Sequence, residues 1–257
     1  MQRPELAPTR SSGLRSTLRN LQEPDVPPSP ESIAAVDAAI TSRRAVRAFL
    51  PTPVPRETVE DILRVASRAP SGTNTQPWKV YVLAGAAKSA LSDRIARIFG
   101  DPAALAAHGE EYAYYPVEWV SPFIDRRRKI GWDMYGLLGI DKGDKARMHA
   151  QFGRNYAFFD APVGLMFTID RVMRQGSWLD YGMFVQSVMI AARARGLHTC
   201  PQAAFLRFHR VVMEQIGAPP NEMLVCGMSM GFEDRSAVVN SLVTERTPVA
   251  DFAKFIE

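Results

Sequence analysis

The sequence predicts a domain of mixed helices and strands, preceded by an arm without regular structure, and three observations carry that prediction. Apolar residues recur at helical spacing in several long stretches, short apolar runs of strand length lie between them, and the two kinds do not alternate in the regular way of a doubly wound sheet. The chain has 257 residues, 46% of them hydrophobic and 23% charged, an ordinary globular composition. At this length folding buries roughly 70–75% of the unfolded surface, so one substantial core forms without disulfide or metal staples.

Residues 1–30 are rich in Pro, Ser, Thr and Arg and have no apolar period, so they cannot offset their own ordering entropy and read as a flexible arm. The arm lacks a continuous apolar stretch and a signal-peptide cleavage site, and Glu5, Glu23 and Asp25 argue against a transit peptide. From Glu31 to Thr41 the residues Ile33, Val36 and Ile40 form one apolar stripe of a helix. Pro55 sits at the first turn of a second helix, whose period runs through Val59, Ile62, Leu63, Val65 and Ala66 and stops at Ala69 and Pro70. Trp78 to Leu83 reads as a strand and Ala86 to Phe99 as a helix.

Residues 101–123 are irregular and rich in aromatic side chains, which in so long a segment points to a functional excursion. Helical spacing returns over Ile124–Leu138 and Asp144–Phe159, followed by a strand-like run from Pro162 to Ile169. Ser177–Arg195 is apolar on most faces, as a helix buried in a core or a subunit interface is, and Gly196 is its C-cap. A helix near Phe205–Ile216, a strand at Met223–Met228 and a short helix at Val249–Phe255 complete the series.

The formal charge is +4 and the pI about 9.2, with 25 Arg against 6 Lys, a balance compatible with nucleic acid, a membrane surface or anionic small ligands. The one dense run, Arg126-Arg127-Arg128-Lys129, reads as a solvated helix face. Cys200 and Cys226 are the only cysteines and belong to no metal-ligand or disulfide pattern, so a reducing, cytoplasmic setting is expected. The run Gly182–Ala192 is too short for the ~20 residues of a membrane span.

Gly227-Met228-Ser229-Met230-Gly231 matches GxSxG, but all four histidines precede Ser229, whereas a hydrolase of that type needs its histidine after the serine. The histidines have no metal-ligand spacing, and neither a GxxxxGK nor a GxGxxG turn is present. Two other stretches are more informative. Ser42-Arg43-Arg44-Ala45-Val46-Arg47 crowds three guanidinium groups at the end of a helix, a set suited to bidentate phosphate recognition. Ala69 to Trp78 is a proline-bounded loop in which Asn74 and Gln76 offer both donors and acceptors, as a planar heterocycle requires.

In this order the two stretches resemble the FMN-dependent nitroreductase family, with its Ser-Arg-Arg-x-x-Arg element followed by Pro-Ser-x-x-Asn-x-Gln-Pro-Trp. Gly196 to Ala204, Gly227 to Gly231 and Glu245-Arg246-Thr247-Pro248 extend the similarity over residues 31–257. The resemblance implies an α+β fold, a mostly antiparallel sheet flanked by helices, in an intertwined homodimer with one FMN per site at the subunit interface. Carried over by position, it implies that Arg43, Arg44 and Arg246 hold the FMN phosphate and that Arg47 lies near the ribityl chain and pyrimidine edge. It further implies that Pro70, Ser71, Gly72, Asn74 and Gln76 reach the cofactor from the other subunit, that backbone amides near Ala203 and Ala204 address flavin N5 and O4, and that Pro201 and Gln202 pack at the ring. Ala45 stands where many members have Ser, and Arg154 and Asn155 are candidates for the pyrimidine edge.

The family's activity implies a ping-pong reaction in which NAD(P)H, with NADPH slightly favoured, reduces the flavin and a nitroaromatic or quinone is then reduced. The flavin carries the chemistry, so no catalytic side chain and no metal are expected. The excursion at 101–139, with Tyr115, Trp119, Trp132 and Tyr135, is expected to be the lid and the substrate-contacting element. Enone reduction and reductive dehalogenation on the same scaffold are alternatives, as is a non-catalytic flavin-binding or nucleic-acid-associated protein; the main reading expects neither nucleic acid nor membrane as a partner.

Overall fold

The computed structural model describes residues 27 and 29–257. The chain divides into two units, Met1–Ala38 and Ala39–Glu257. Most of helix α1 (Pro30–Thr41) lies in the first; all other elements lie in the second. Apart from residues 27, 29 and 30, the arm expected at the N-terminus falls outside the described residues.

Strands β1 (Trp78–Ala84), β2 (Val163–Asp170), β3 (His198–Gln202) and β4 (Glu222–Gly231) form a sheet of order β1-β2-β4-β3 with every neighbouring pair antiparallel. Period-2 alternation divides β2 between two cores. Leu165, Phe167 and Ile169 face one side with Val59 and Ile62 of α2 (Arg56–Ala66) and with Phe184 and Val188 of α7 (Gln175–Ala194). Met166 faces the other, with Leu91 and Ile95 of α3 (Gly85–Phe99) and the rings of Tyr156, Phe158 and Phe205. Trp78 of β1 stacks on Phe184 with centroids 4.7 Å apart, tying strand to helix. Gly164 and Gly227 let rings lie directly on the sheet, since a Cβ there would meet Phe158 at 2.4 Å and Phe205 at 2.5 Å.

The excursion contains the short helix α4 (Pro102–Ala106), capped by the Asp101 carboxylate on the Ala103 and Ala104 amides, and then α5 (Phe123–Leu137), which carries no buried residue. Asp144 caps α6 (Lys145–Gly153).

The expected helix from Asp144 to Phe159 ends early, at Gly153, and gives way to a 3-10 segment over Arg154–Asp160. There Phe158, Phe159 and Asp160 have left-handed φ of 54°, 52° and 68°. The turn delivers both phenyl rings to the core, a gain that offsets local strain of about 1–3 kcal/mol per residue. Similarly, the expected helix from Phe205 to Ile216 is a 3-10 segment Ala203–Phe208 leading into α8 (His209–Gln215). The terminal helix is the single turn α9 (Val249–Phe252). Strand β3 has no apolar run to announce it, and Pro201 is accommodated because β3 ends the sheet order.

Candidate active site

The arginine element leaves α1 as extended chain and runs beside β3. Ala45 bridges Thr199 in parallel fashion, the Val46 amide donates to the Thr199 carbonyl at 3.2 Å, and the Val46 side chain is fully buried. From the far end of the chain, buried Asn240 holds the element in place. Its Oδ1 accepts from the Arg47 amide at 2.8 Å, and its Nδ2 donates to the carbonyls of Ala48 and Asp234, each at 2.8 Å.

Adjacent arginines in this element have different surroundings. The Arg44 guanidinium donates to the Glu233 carboxylate and, at 2.5 Å, to the Asn240 carbonyl. Glu233 is buried, and its other oxygen lies 3.4 Å from His198 Nε2. Burial lowers the His198 pKa, a direction that Glu233 opposes and Arg193, Arg44 and Arg235 reinforce. Arg43, by contrast, lies near Arg246 and Cys200; burial and then the charge of Arg246 lower its pKa. Burial pushes the Cys200 thiol up to about 11, against the pull of Arg47 and Arg43. Arg246 donates to Thr244 Oγ1 at 2.6 Å and to the Glu245 carbonyl at 2.9 Å.

Among the described residues, the ion pairs of this region engage Arg44 and leave Arg43, Arg47 and Arg246 without a carboxylate. Thr199 Oγ1, buried next to Ala45, also lacks a hydrogen-bond partner. Three guanidinium groups and an unpartnered hydroxyl, with no acid to neutralise them, form a donor set that fits a phosphate monoester.

The proline-bounded loop connects α2 to β1. Thr73, Asn74 and Gln76 have φ of 51°, 59° and 47°. The Gln76 amide donates to Ser71 Oγ at 3.0 Å, Gln76 Nε2 donates to the Asn74 carbonyl at 3.2 Å, and the Gly72 amide donates to Asp180 on α7 at 3.1 Å. Pro70, Gly72, Asn74 and Gln76 are exposed and Ser71 is half-buried. No hydrogen bond among the described residues joins this loop to the arginine element.

Of the segment from Pro201 to Ala204, only Gln202 is buried, and its side chain faces inward. It accepts from Ser229 Oγ at 2.6 Å and donates to the Asn155 carbonyl at 2.7 Å. Ser229 is fully buried in that bond, which agrees with its rejection as a nucleophile. Arg154 pairs with Asp160 at 2.8 Å.

Exposed Pro201 and half-buried Ala203 open onto a hollow of about 390 Å³ that Tyr112, Tyr114 and Trp178 also line. Tyr112 donates to the Val225 carbonyl at 2.6 Å and meets Trp178 edge-on at 4.6 Å. These two rings are site residues that the sequence did not single out. Their partners lie 113 and 66 residues away in the chain, and only the aromatic richness of the excursion hinted at Tyr112.

The four expected substrate residues form two pairs. Tyr115 and Trp119 have ring centroids 5.5 Å apart, and Trp132 and Tyr135 6.0 Å apart. Arg127 lies between the pairs, 4.6 Å from the Trp119 centroid and 5.3 Å from that of Tyr115, and shares a second hollow of about 420 Å³ with Trp132 and Tyr135. None of the four lines the hollow at Pro201 and Ala203.

The family model for the nitroreductase family matches residues 40–232, from the arginine element through the end of β4. The chain belongs to the nitroreductase family. It is 44% identical over 220 residues to the 4-nitrobenzoate reductase of Pseudomonas putida, covering 86% of this chain and 95% of that one. It is 40% identical over 226 residues to the 4-nitrobenzoate reductase of Nocardioides sp. (strain LMS-CY), covering 88% and 91%. Among solved structures it resembles the FMN and NADPH-dependent nitroreductase NfnB from Sphigopyxis sp. strain HMH, with TM-score 0.82, 35% identity, and coverage of 86% and 99%. The four-stranded antiparallel sheet and its flanking helices are therefore the family's α+β architecture, and both candidate hollows lie within the matched region.

Proposed function

We propose that the chain is an FMN-dependent oxidoreductase that takes hydride from NADPH and reduces nitroaromatic compounds. The observation that carries this reading is the group formed by Arg43, Arg47 and Arg246, which no carboxylate neutralises, beside β3. A relative acting on 4-nitrobenzoate and a structural neighbour dependent on FMN and NADPH support it.

In this reading Arg43 and Arg246 hold the phosphate of FMN and Arg47 lies toward its ribityl chain. Arg44, committed to Glu233 and Asn240, keeps the element's backbone against β3 and leaves the phosphate to Arg43, which lies near Arg246. Pro201, Ala203 and Ala204 form the wall for the ring, with Gln202 and Ser229 fixing that wall from behind. Bound flavin supplies hydride acceptance and donation. The overall steps balance as ArNO₂ + NADPH + H⁺ → ArNO + NADP⁺ + H₂O, then ArNO + NADPH + H⁺ → ArNHOH + NADP⁺.

The site is completed by a second copy of the chain. The loop Pro70–Gln76 presents its polar groups outward in a left-handed backbone that costs about 1–3 kcal/mol per strained residue. No residue of helix α5 is fully buried within its own chain, and Val117 and Val243 are exposed apolar side chains. Both segments are accounted for if each reaches across a homodimer interface, the loop to the cofactor and α5 to the substrate as a lid.

Anaerobic titration of the purified protein with NADPH and then with a nitroarene tests the function. Flavin absorbance that bleaches with NADPH and returns with the nitroarene is the expected result. A colourless protein that does not take up FMN overturns the reading.

A further inference from the structure

Three hollows in the described residues differ in chemistry. The hollow at Pro201 and Ala203 is aromatic and carries no cation. The hollow between α5 and the C-terminal segment, about 600 Å³, is lined by cations, Arg127 and Arg246 among them, together with Asp133, Glu245 and Asp251. The hollow on the excursion combines Arg127 and Arg128 with Trp132, Tyr135 and Ile124, and no carboxylate lines it.

The neighbouring acids of α5 are already engaged. Asp125 accepts from Ser121 Oγ at 2.6 Å, and Asp133 accepts from Lys129 at 2.8 Å; Lys129 also lies 3.4 Å from Glu245. Among the described residues Arg127 and Arg128 form no ion pair. Arg127 is held in place by its stack over Trp119 and Tyr115, an arrangement that occupies the face of the guanidinium and leaves its N–H edge available. Lys142 adds a third positive charge, 4.9 Å above the Trp132 ring. A hollow walled by aromatic rings and by two guanidinium groups that form no ion pair is matched by an aromatic anion. A neutral arene would leave those cations without a partner.

We infer that the excursion selects nitroarenes that carry a carboxylate, with Arg127 and Arg128 receiving the carboxylate and Trp132 and Tyr135 the ring. The inference rests on the nitroreductase reading above and on the excursion serving as its lid. Arg127 is then a specificity-determining residue, and the run Arg126-Arg127-Arg128-Lys129 is more than a solvated face.

The test uses FMN-loaded enzyme and two parallel readouts. In the first, kcat/KM is measured for 4-nitrobenzoate and for nitrobenzene with the wild type and with Arg127→Gln, Arg128→Gln and Arg127→Lys. In the second, benzoate and benzamide are titrated calorimetrically into the oxidised enzyme. The ratio of nitrobenzoate to nitrobenzene kcat/KM is expected to fall about tenfold or more in Arg127→Gln, the scale of a lost charge-assisted hydrogen bond. A several-fold fall is expected in Arg128→Gln and partial recovery in Arg127→Lys, with the ratio of benzoate to benzamide affinity following the same order.

An unchanged ratio, or equal losses on both nitroarenes, overturns the inference. A change confined to the KM for NADPH also overturns it and assigns the arginines to the nucleotide's phosphates. If neither nitroarene is reduced while benzoate affinity still follows Arg127, the nitroreductase reading fails and the aromatic-anion site stands by itself.

Discussion

The arginine element and the excursion are the two regions on which function depends, and they are built in opposite ways. The element is threaded between β3 and the turn after β4, its backbone fixed by Asn240 and its Arg44 by Glu233, so its geometry is set by buried groups distant in sequence. The excursion's functional side chains meet one another, Tyr115 with Trp119 and Trp132 with Tyr135, and α5 buries none of its residues. A cofactor site calls for rigid, preorganised donors, whereas a substrate-contacting lid is free to vary and to move. The contrast predicts that damage to the first region appears as lost folding stability and cofactor affinity, and damage to the second as altered substrate constants.

The largest expected effect separates two neighbouring arginines. Glu233→Ala leaves the partly buried Arg44 without its carboxylate and should cost about 2–4 kcal/mol of unfolding free energy in urea. Arg44→Ala should likewise lower stability. Arg43→Ala should leave stability within about 0.5 kcal/mol of wild type yet weaken FMN binding about 10- to 100-fold, the loss of a charge-assisted phosphate contact. Equilibrium unfolding and FMN titration, run on all three variants, check the separation. If Arg44→Ala loses FMN affinity at unchanged stability, the two roles have been assigned the wrong way round.

A smaller effect tests the other region. Trp119→Ala and Trp132→Ala remove rings whose ring and cation contacts lie within the excursion or with Lys142 just beyond it, so the melting temperature and flavin content should change little while KM for the nitroarene rises several-fold. Steady-state kinetics with flavin quantified by absorbance decides this. Loss of flavin at constant KM would place these rings at the cofactor instead.

The same contrast explains what was legible in the sequence. Helices α2, α3 and α7 and strands β1, β2 and β4 were readable because burial of one face imprints a period on the chain; α1 and α5 were readable from apolar spacing alone, since neither has a buried residue. Strand β3 was not, because His198, Thr199, Cys200, Pro201 and Gln202 carry no such period; the strand exists through its pairing with β4 and the Ala45 bridge. The break after Gly153 was hidden for a related reason: the helical spacing continues through Tyr156 and Phe159, and the left-handed turn is imposed by where the rings must pack. The arginine cluster and the polar loop were visible as local composition. Glu233, Asn240 and Tyr112 were not, since each acts on groups more than a hundred residues away.

The smallest effect sharpens the comparison from the sheet side, where a buried carboxylate serves stability and not the site. Glu222 accepts from Lys79 at 2.8 Å, Tyr81 at 2.9 Å and Thr168 at 2.5 Å, joining β1, β2 and β4. Burial raises its pKa, but the hydrogen bonds from Lys79, Thr168 and Tyr81 outweigh that and the net shift is downward from 4.5. A carboxyl whose folded-state pKa is depressed contributes stability that is present above its unfolded value and lost as pH falls through the folded one. Glu222→Gln should therefore cost about 1–2 kcal/mol at neutral pH, discounted because the Lys79 ammonium is 45% exposed and partly screened. The gap between variant and wild type should narrow as the pH drops below 4.5, with FMN affinity and the substrate ratio unchanged throughout. Urea unfolding as a function of pH measures this. A gap that stays constant down to pH values below the folded pKa would mean that the amide disrupts packing and that the charge of Glu222 contributes nothing to the sheet.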